Sequence, residues 1–193
     1  MQAPYGAFIA FSIALCVFLN DRFPNNNRCK FVLLFLCPNI CGAFGLRFLH
    51  QSNLAGRYIC YLLTGPYNAA FVLILSLQIA NTAGHTKKVV TNAVLFLGYC
   101  TGNIAGPFFY KTSQAPTYPL GIWSMIVSHL LEVCVICLFW FTLRSENKRR
   151  DRIQGHEGLT ADQLAEKVKG EAHDRTAFAD LTDRENLNFR YIY

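Results

Sequence analysis

The chain has 193 residues, of which 52% are hydrophobic, and it carries a net charge of +6. Residues 1–143 contain only two acids, Asp21 and Glu132, whereas residues 144–193 contain equal numbers of acids and bases. The net positive charge therefore belongs to the apolar part, mainly at the ends of apolar segments. This distribution argues against a nucleic-acid-binding module, which shows a basic face on a soluble fold, and it favours a membrane protein.

Five apolar segments are long enough to cross a bilayer, because about 20 residues at a rise of 1.5 Å span about 30 Å of hydrocarbon. They lie at roughly 3–20, 31–49, 57–81, 88–110 and 119–143. Backbone hydrogen bonds must be satisfied within lipid, so each segment should be helical. The sequence thus predicts an all-α membrane protein, with a transmembrane domain in residues 1–143 and a soluble tail in residues 144–193.

Basic residues predict the orientation of these spans. They follow the first, third and fifth spans and include Arg22, Arg28, Lys87, Lys88 and the cluster at 144–152. The alternate connections hold fewer bases. The positive-inside rule therefore places the 20–30 connection, the 82–88 turn and the tail in the cytoplasm and the N-terminus outside.

Polar residues interrupt the third and fourth spans. Asn68 and Asn103 lie well inside them, and each amide must face a partner or water, since an unsatisfied amide is costly in lipid. They are candidate substrate contacts, and interhelical hydrogen bonding is an equal alternative. Tyr67 and Tyr99 neighbour them and could stack on a planar substrate, although core packing is the commoner role for such rings.

Glycines and prolines also mark these two spans. Gly98, Gly102 and Gly106 recur at every fourth residue and predict a smooth stripe for close helix packing. Pro66 and Pro107 each remove a backbone hydrogen bond and are expected to kink their helices.

The fifth span contains His129 and Glu132, whose spacing places them on one helical face. A proton relay is one interpretation; a locally satisfied structural pair is the other. No motif of a hydrolase, metalloprotease or nucleotide-binding site occurs, so we expect neither an enzyme nor a cofactor. The eight cysteines lack the paired spacing of a zinc site and fit small buried hydrophobes.

The tail carries one helix signal. Thr160 and Gln163 fit a capping box, which predicts a short helix near 161–169 with Leu164 and Val168 on its apolar side. A mostly disordered regulatory tail is the preferred interpretation. The final residues, 188–193, could pack on the membrane domain or bind a partner.

Short phrases spread along nearly the whole chain carry a family resemblance. They are PYGA at 4–7, LTGPYNA at 63–69, NTAGHTKK at 81–88, GNIAGP at 102–107, QAP at 114–116, ENKRRD at 146–151 and DLTDREN at 180–186. In this order and spacing they resemble the C-terminal part of a fungal major facilitator superfamily transporter, in the allantoate permease branch of anion:cation symporters.

The resemblance implies a plasma-membrane carrier that takes up a small, often anionic nutrient, such as allantoate, nicotinate or pantothenate, together with a proton. Asp21, Arg22 and Arg28 would correspond to the charged cytoplasmic loop that latches and releases the two domains of such a carrier. The chain departs from that motif, because Val17 stands where the family has glycine and residues 24–27 replace a tighter turn.

The resemblance also implies that the five spans correspond to the eighth to twelfth helices of a twelve-helix fold. We therefore expect a truncated gene model, a split gene or a degenerate copy, which supplies at most one wall of the substrate cavity. The alternative is a structural or regulatory membrane protein that derives from a carrier and does not transport.

Overall fold

The computed structural model describes residues 2–23, 26–155, 163, 166 and 181–193. Within these residues the helices are α1 (Gln2–Arg22), α2 (Arg28–Phe48), α3 (Leu54–Leu63), α4 (Tyr67–Ala80), α5 (His85–Ala105) and α6 (Pro119–Ile153). Two 3-10 turns, Gly106–Phe109 and Thr112–Gln114, connect α5 to α6. The predicted helix near 161–169 falls almost wholly outside the described residues.

Five helical segments of the described chain are long and apolar enough to cross a membrane. They are Ala3–Arg22, Arg28–Phe48, Leu54–Ala80, His85–Phe109 and Pro119–Ile153. This confirms the five predicted spans. The last helix runs ten positions beyond the predicted end of its span, because Glu146 bonds Arg149 and Arg150 along the same helix and supports further turns.

The third span is two helices rather than one. α3 ends at Leu63, α4 begins at Tyr67, and residues 64–66 form the break between them. Pro66 has no amide hydrogen and so removes a bond that would continue α3. The expected kink at Pro66 is thus a full break. In the fourth span the α-helix likewise ends one residue before Gly106, just ahead of Pro107.

The main apolar core lies between α1, α2, α4 and α6. Its buried members are Cys16, Cys29, Val32, Phe35, Leu36, Ala69, Ala70, Leu73, Leu77 and Ile136. The two alanines of α4 let the neighbouring helices approach closely. A smaller cluster joins Ala43 of α2 to Ile122 and Ile126 of α6. In contrast, no residue of α5 is buried.

One end of the bundle gathers the basic residues, and we call it the basic end. There α1 ends, α2 begins, α4 and α5 meet in a short turn, and α6 ends. Segment 181–193 returns to this end and packs on it in an irregular conformation. A mostly disordered tail was the preferred interpretation of the sequence, and for these residues the structure differs because polar side chains of α4 and α6 bind their backbone.

Candidate functional site

Side chains satisfy the backbone groups that the break in the third span releases. The Thr64 hydroxyl donates to the carbonyl of Tyr61 at 2.7 Å, and it lies 3.4 Å from the Tyr5 hydroxyl of α1. The Asn68 amide nitrogen donates to the carbonyl of Gly65 at 3.0 Å. Such local partners allow a broken helix to persist at membrane depth. One role of Asn68 is therefore to support the break itself.

Aromatic rings surround the break and connect it to three other helices. Tyr5 of α1 stacks on Tyr61 with ring centroids 4.4 Å apart. The Tyr67 ring lies 6.0 Å from the imidazole of His129 in α6. One turn further along α4, Phe71 stacks on Tyr99 of α5 at 5.7 Å. Of the two tyrosines predicted from the sequence, Tyr67 of α4 thus contacts α6, and Tyr99 of α5 contacts α4 one turn away.

His129 and Glu132 form a contact within α6. Nδ1 of His129 lies 3.1 Å from Oε2 of Glu132, and their side chains are 14% and 29% exposed. The contact bears out their predicted common face. Because Tyr67 lies against His129, the pair borders the break rather than standing alone. The arrangement brings a carboxyl group, an imidazole and a phenol ring together at the break.

Asn103 does not meet Asn68 through any hydrogen bond that the described residues make. Its amide nitrogen donates to the Tyr99 carbonyl in its own helix at 2.8 Å, and its side chain is exposed. Among the described residues, neither of these two amide nitrogens bonds to another helix. Within the same part of the chain, the two carboxamide oxygens accept no hydrogen bond.

The glycine stripe of the fourth span packs against nothing in the described chain. A Cβ atom added at Gly98, Gly102 or Gly106 would meet no other atom within 4 Å. The expected close helix contact is therefore absent among the described residues, because α5 stands apart from the core. Close approach instead occurs at Gly42 of α2, where a Cβ atom would lie 2.5 Å from the Cys60 carbonyl oxygen of α3.

The three residues of the candidate gating loop separate into two groups. Asp21 and Arg22 are exposed at the end of α1. Arg28 begins α2 and donates from Nη1 to the Ser76 hydroxyl of α4 at 2.9 Å. Arg28 thus ties α2 to α4 at the basic end.

Asn39 is a buried polar residue that sequence reasoning missed. It lies in the middle of α2, directly after Pro38, and is 1% exposed. Neither its amide nitrogen nor its carbonyl oxygen has a hydrogen-bond partner among the described residues. An asparagine amid apolar residues in a span was the available signal. A buried amide without a hydrogen-bond partner lowers stability, so its presence in a native fold requires an explanation.

Arg150 is the second missed residue. The sequence presents it as one member of a basic cluster, yet it is 1% exposed and its guanidinium binds segment 181–193. Its Nη atoms donate to the carbonyls of Asp183 at 2.8 Å and Phe189 at 2.7 Å. The available signal was weak, because nothing in the basic cluster or in the tail phrase that begins 30 residues further on indicates that they pair.

The comparisons with known proteins bear on this arrangement. The chain is 37% identical over 170 residues to an uncharacterized transporter of Schizosaccharomyces pombe, a match that covers 86% of this chain and 30% of the relative. It is 31% identical over 164 residues to an MFS-type transporter of Penicillium expansum, with 85% and 31% covered. It is 32% identical over 141 residues to the allantoate permease of Saccharomyces cerevisiae, with 73% and 23% covered.

The chain is a homologue of fungal major facilitator transporters. This major facilitator homologue is a multi-pass membrane protein, and its five spans fit a partial bundle of that fold. The three relatives are named as transporters or permeases, and none is named as an enzyme. The chain spans about a third of the length of the curated relatives it matches. No family model matches it, and no solved structure matches it.

Proposed function

We propose that the chain works in a membrane transporter that takes up a small organic anion together with a proton. The observation that carries the proposal is the group of Tyr67, His129 and Glu132 at the break of the third span, in a homologue of transporters. Ionisable groups within a span are costly and mark pathways more often than anchors. Alternating access, with one helix bundle rocking against another, is the mechanism we infer.

The coupling follows from the charges of the pair. With Glu132 ionised, its carboxylate neutralises a protonated His129. Protonation of Glu132 removes that negative charge, and an anionic solute can then take the place of the carboxylate beside the imidazolium, since an opposite charge nearby favours the charged form of the imidazole. Proton binding and anion binding then favour each other, which is the requirement for symport. Tyr67 lies beside the imidazole, where it can contact both His129 and the anionic solute.

The solute contacts we propose are Tyr67, Asn68, Tyr99 and Asn103. Tyr67 and Tyr99 are 40% and 52% exposed, so each leaves surface that a planar solute can contact. The two carboxamide oxygens can accept hydrogen bonds from amide or ureido groups. One relative is named allantoate permease, so allantoate is the first solute to test, followed by nicotinate and pantothenate.

We further propose that the basic end faces the cytoplasm of a plasma-membrane protein, with Asp21, Arg22 and Arg28 as its gating loop. The bases there exceed those at the opposite end, and the positive-inside rule supports this orientation. Arg28 bonds Ser76 of α4, so movement of the loop after α1 can be passed to the helix that carries Tyr67.

The test grafts this chain onto a measurable carrier. The region of the yeast allantoate permease that matches this chain is replaced by the chain, and uptake of labelled allantoate, nicotinate and pantothenate is measured in cells that lack the permease. We expect accumulation of at least one solute that collapses when a protonophore is added. Normal surface expression without uptake of any solute would instead favour a structural or regulatory membrane protein.

Glu132→Gln in the graft tests the coupling. We expect proton-driven accumulation to fall about tenfold or more, with solute exchange retained, because the amide can still bind but cannot carry a proton. Ser128→Ala, one turn earlier on α6, is the control, since the Ser128 hydroxyl bonds only to the Ser124 carbonyl of its own helix. An unchanged pH dependence in Glu132→Gln would remove this carboxyl from the relay.

A further inference from the structure

α5 carries two of the candidate solute contacts, yet none of its residues belongs to either apolar cluster. None of its residues is buried. A groove of about 940 Å³ separates its first turns from α4 and α6, with Lys87 and Thr91 on one wall and Leu77 and Ile136 on the other. Among the described residues, its aromatic contact with α4 is the stack of Tyr99 on Phe71. Within the described residues, core packing therefore does not fix the position of α5.

Segment 181–193 contacts α4 and α6 through two asparagines that bind its backbone. The Asn81 amide donates to the Ile192 carbonyl and its oxygen accepts from the Ile192 amide, both at 2.7 Å. Asn147 of α6 binds the Tyr191 carbonyl and amide in the same way, at 2.8 and 3.0 Å. Two consecutive residues are thus held by paired hydrogen bonds from two helices.

Arg150 anchors the rest of the segment. Besides its bonds to Asp183 and Phe189, its Nη1 donates to the Asn186 carbonyl at 3.3 Å and its Nη2 to the Tyr191 hydroxyl at 3.1 Å. The guanidinium carbon also lies 4.6 Å from the centre of the Tyr191 ring. A buried guanidinium requires such partners, because an unpaired buried charge is strongly destabilising. The segment supplies them.

The same segment reaches α5. The Lys87 ammonium forms an ion pair with the Asp183 carboxylate, which also accepts a hydrogen bond from the Tyr191 hydroxyl at 2.8 Å. At the turn before α5, Gly84 has a φ of +87°, and a Cβ atom there would lie 3.3 Å from Cγ2 of Thr182. The segment therefore packs on the start of α5 and on the turn that leads into it.

We propose that segment 181–193 is a clasp that sets the position of α5 relative to α4 and α6. Arg150 and Asn147 hold the clasp on α6, Asn81 holds it on α4, and Asp183 transmits that position to α5 through Lys87. Tyr99 and Asn103 lie on the helix so positioned, which makes the clasp residues positioning residues for the candidate solute site. The role of these residues toward a solute rests on the proposed function, whereas the placement of α5 does not.

The experiment uses the full chain in lipid nanodiscs and two readouts. Hydrogen exchange reports whether segment 181–193 is docked. A photoreactive p-benzoylphenylalanine at position 99 reports, by its cross-linking yield to residues 67–77, whether α5 keeps its place beside α4. In Arg150→Met we expect protection of the segment to fall about tenfold or more, because four charge-assisted bonds are lost, and the cross-linking yield to fall about threefold.

Arg149→Met is the matched control, since it also removes one charge that bonds Glu146, but its side chain is 68% exposed. We expect both readouts to stay unchanged in this variant. Tyr191→Phe provides a milder release if Arg150→Met fails to insert, because it removes only the hydroxyl shared with Asp183 and Arg150. Release of the segment with an unchanged cross-linking yield would overturn the proposal, as would a segment that stays protected. Neither readout measures transport, so this failure is distinct from that of the proposed function.

Discussion

Individual polar side chains in this bundle have very different surroundings, although the sequence shows them alike. Asn147 is 9% exposed and binds the backbone of Tyr191 with both ends of its amide. Asn39 is 1% exposed and its amide binds no described residue. The same chemical group should therefore stabilise the fold at one position and destabilise it at the other.

Substitution of Asn39 and Asn147 by leucine should change stability in opposite directions. We expect Asn39→Leu to raise the free energy of unfolding by about 1–2 kcal/mol, because it removes an unsatisfied polar group. Asn147→Leu should lower it by about 1–3 kcal/mol, because it leaves the Tyr191 backbone groups without partners. Denaturation in mixed detergent micelles measures both. A loss of stability in Asn39→Leu would show that this amide has a partner outside the described residues, such as a buried water.

Helix contacts are tight between some elements and absent between others. α3 approaches α2 closely at Gly42, whereas α5 presents its glycines to open space within the described chain. Close packing in membranes depends on small residues at the contact, so the identity of a glycine is decisive at Gly42 and not at Gly98.

Substitution by alanine should have opposite effects on stability at Gly42, which lies in a close helix contact, and at Gly98, which faces open space. Gly42→Ala should lower the free energy of unfolding by about 1–3 kcal/mol, since its Cβ would press on the Cys60 carbonyl. Gly98→Ala, the control in a helix of equal length, should raise it by about 0.5–1 kcal/mol through helix propensity alone. Thermal unfolding in detergent tests both. Equal effects at the two positions would contradict the close approach of α3 and α2.

At the scale of the whole molecule, the two ends of the bundle differ in how they are held together. The basic end is tied by Arg28 to Ser76 and by segment 181–193, through bonds between charged or polar groups. Burial tends to raise the pKa of Asp183, but hydrogen bonds from Lys87 and Tyr191 and the Lys87 charge outweigh it, so the pKa lies below its ordinary 3.8. Burial and the hydrogen bond to Asp183 raise the pKa of Tyr191 to about 12.

Docking of segment 181–193 should therefore depend on pH at both extremes. A lowered carboxyl pKa contributes stability above pH 3.8 that is lost as the pH falls further. A raised phenol pKa contributes stability below pH 10 that is lost as the pH approaches 12. Cross-linking from p-benzoylphenylalanine at position 189 to α6, measured from pH 3 to 11, should give a plateau that falls at both ends. In Asp183→Asn the acid limb should disappear; its persistence would assign that limb to another group.

The sequence was sufficient for the five spans, because hydropathy acts locally, but at Pro66 it predicted a kink where the structure has a break between two helices. It also indicated the common face of His129 and Glu132, since helical spacing alone decides it. It could not indicate the docked segment: Arg150 there binds mostly backbone carbonyls, which every residue has, in a stretch without periodicity. Nor could it show that α5 stands apart from the core, because exposure to lipid and burial in protein favour the same apolar residues.

The bonds between Asn81 and Ile192 join residues 111 positions apart in the chain, and this separation has a consequence for biosynthesis. Residues 181–193 leave the ribosome after all five spans have been made. α5 must therefore enter the membrane before Asp183 can pair with Lys87. Arg150 meanwhile lacks the carbonyls that satisfy it. The last step of maturation is then the closing of this long-range contact, and a nascent protein interrupted before it displays an open basic end that quality-control proteases can reach.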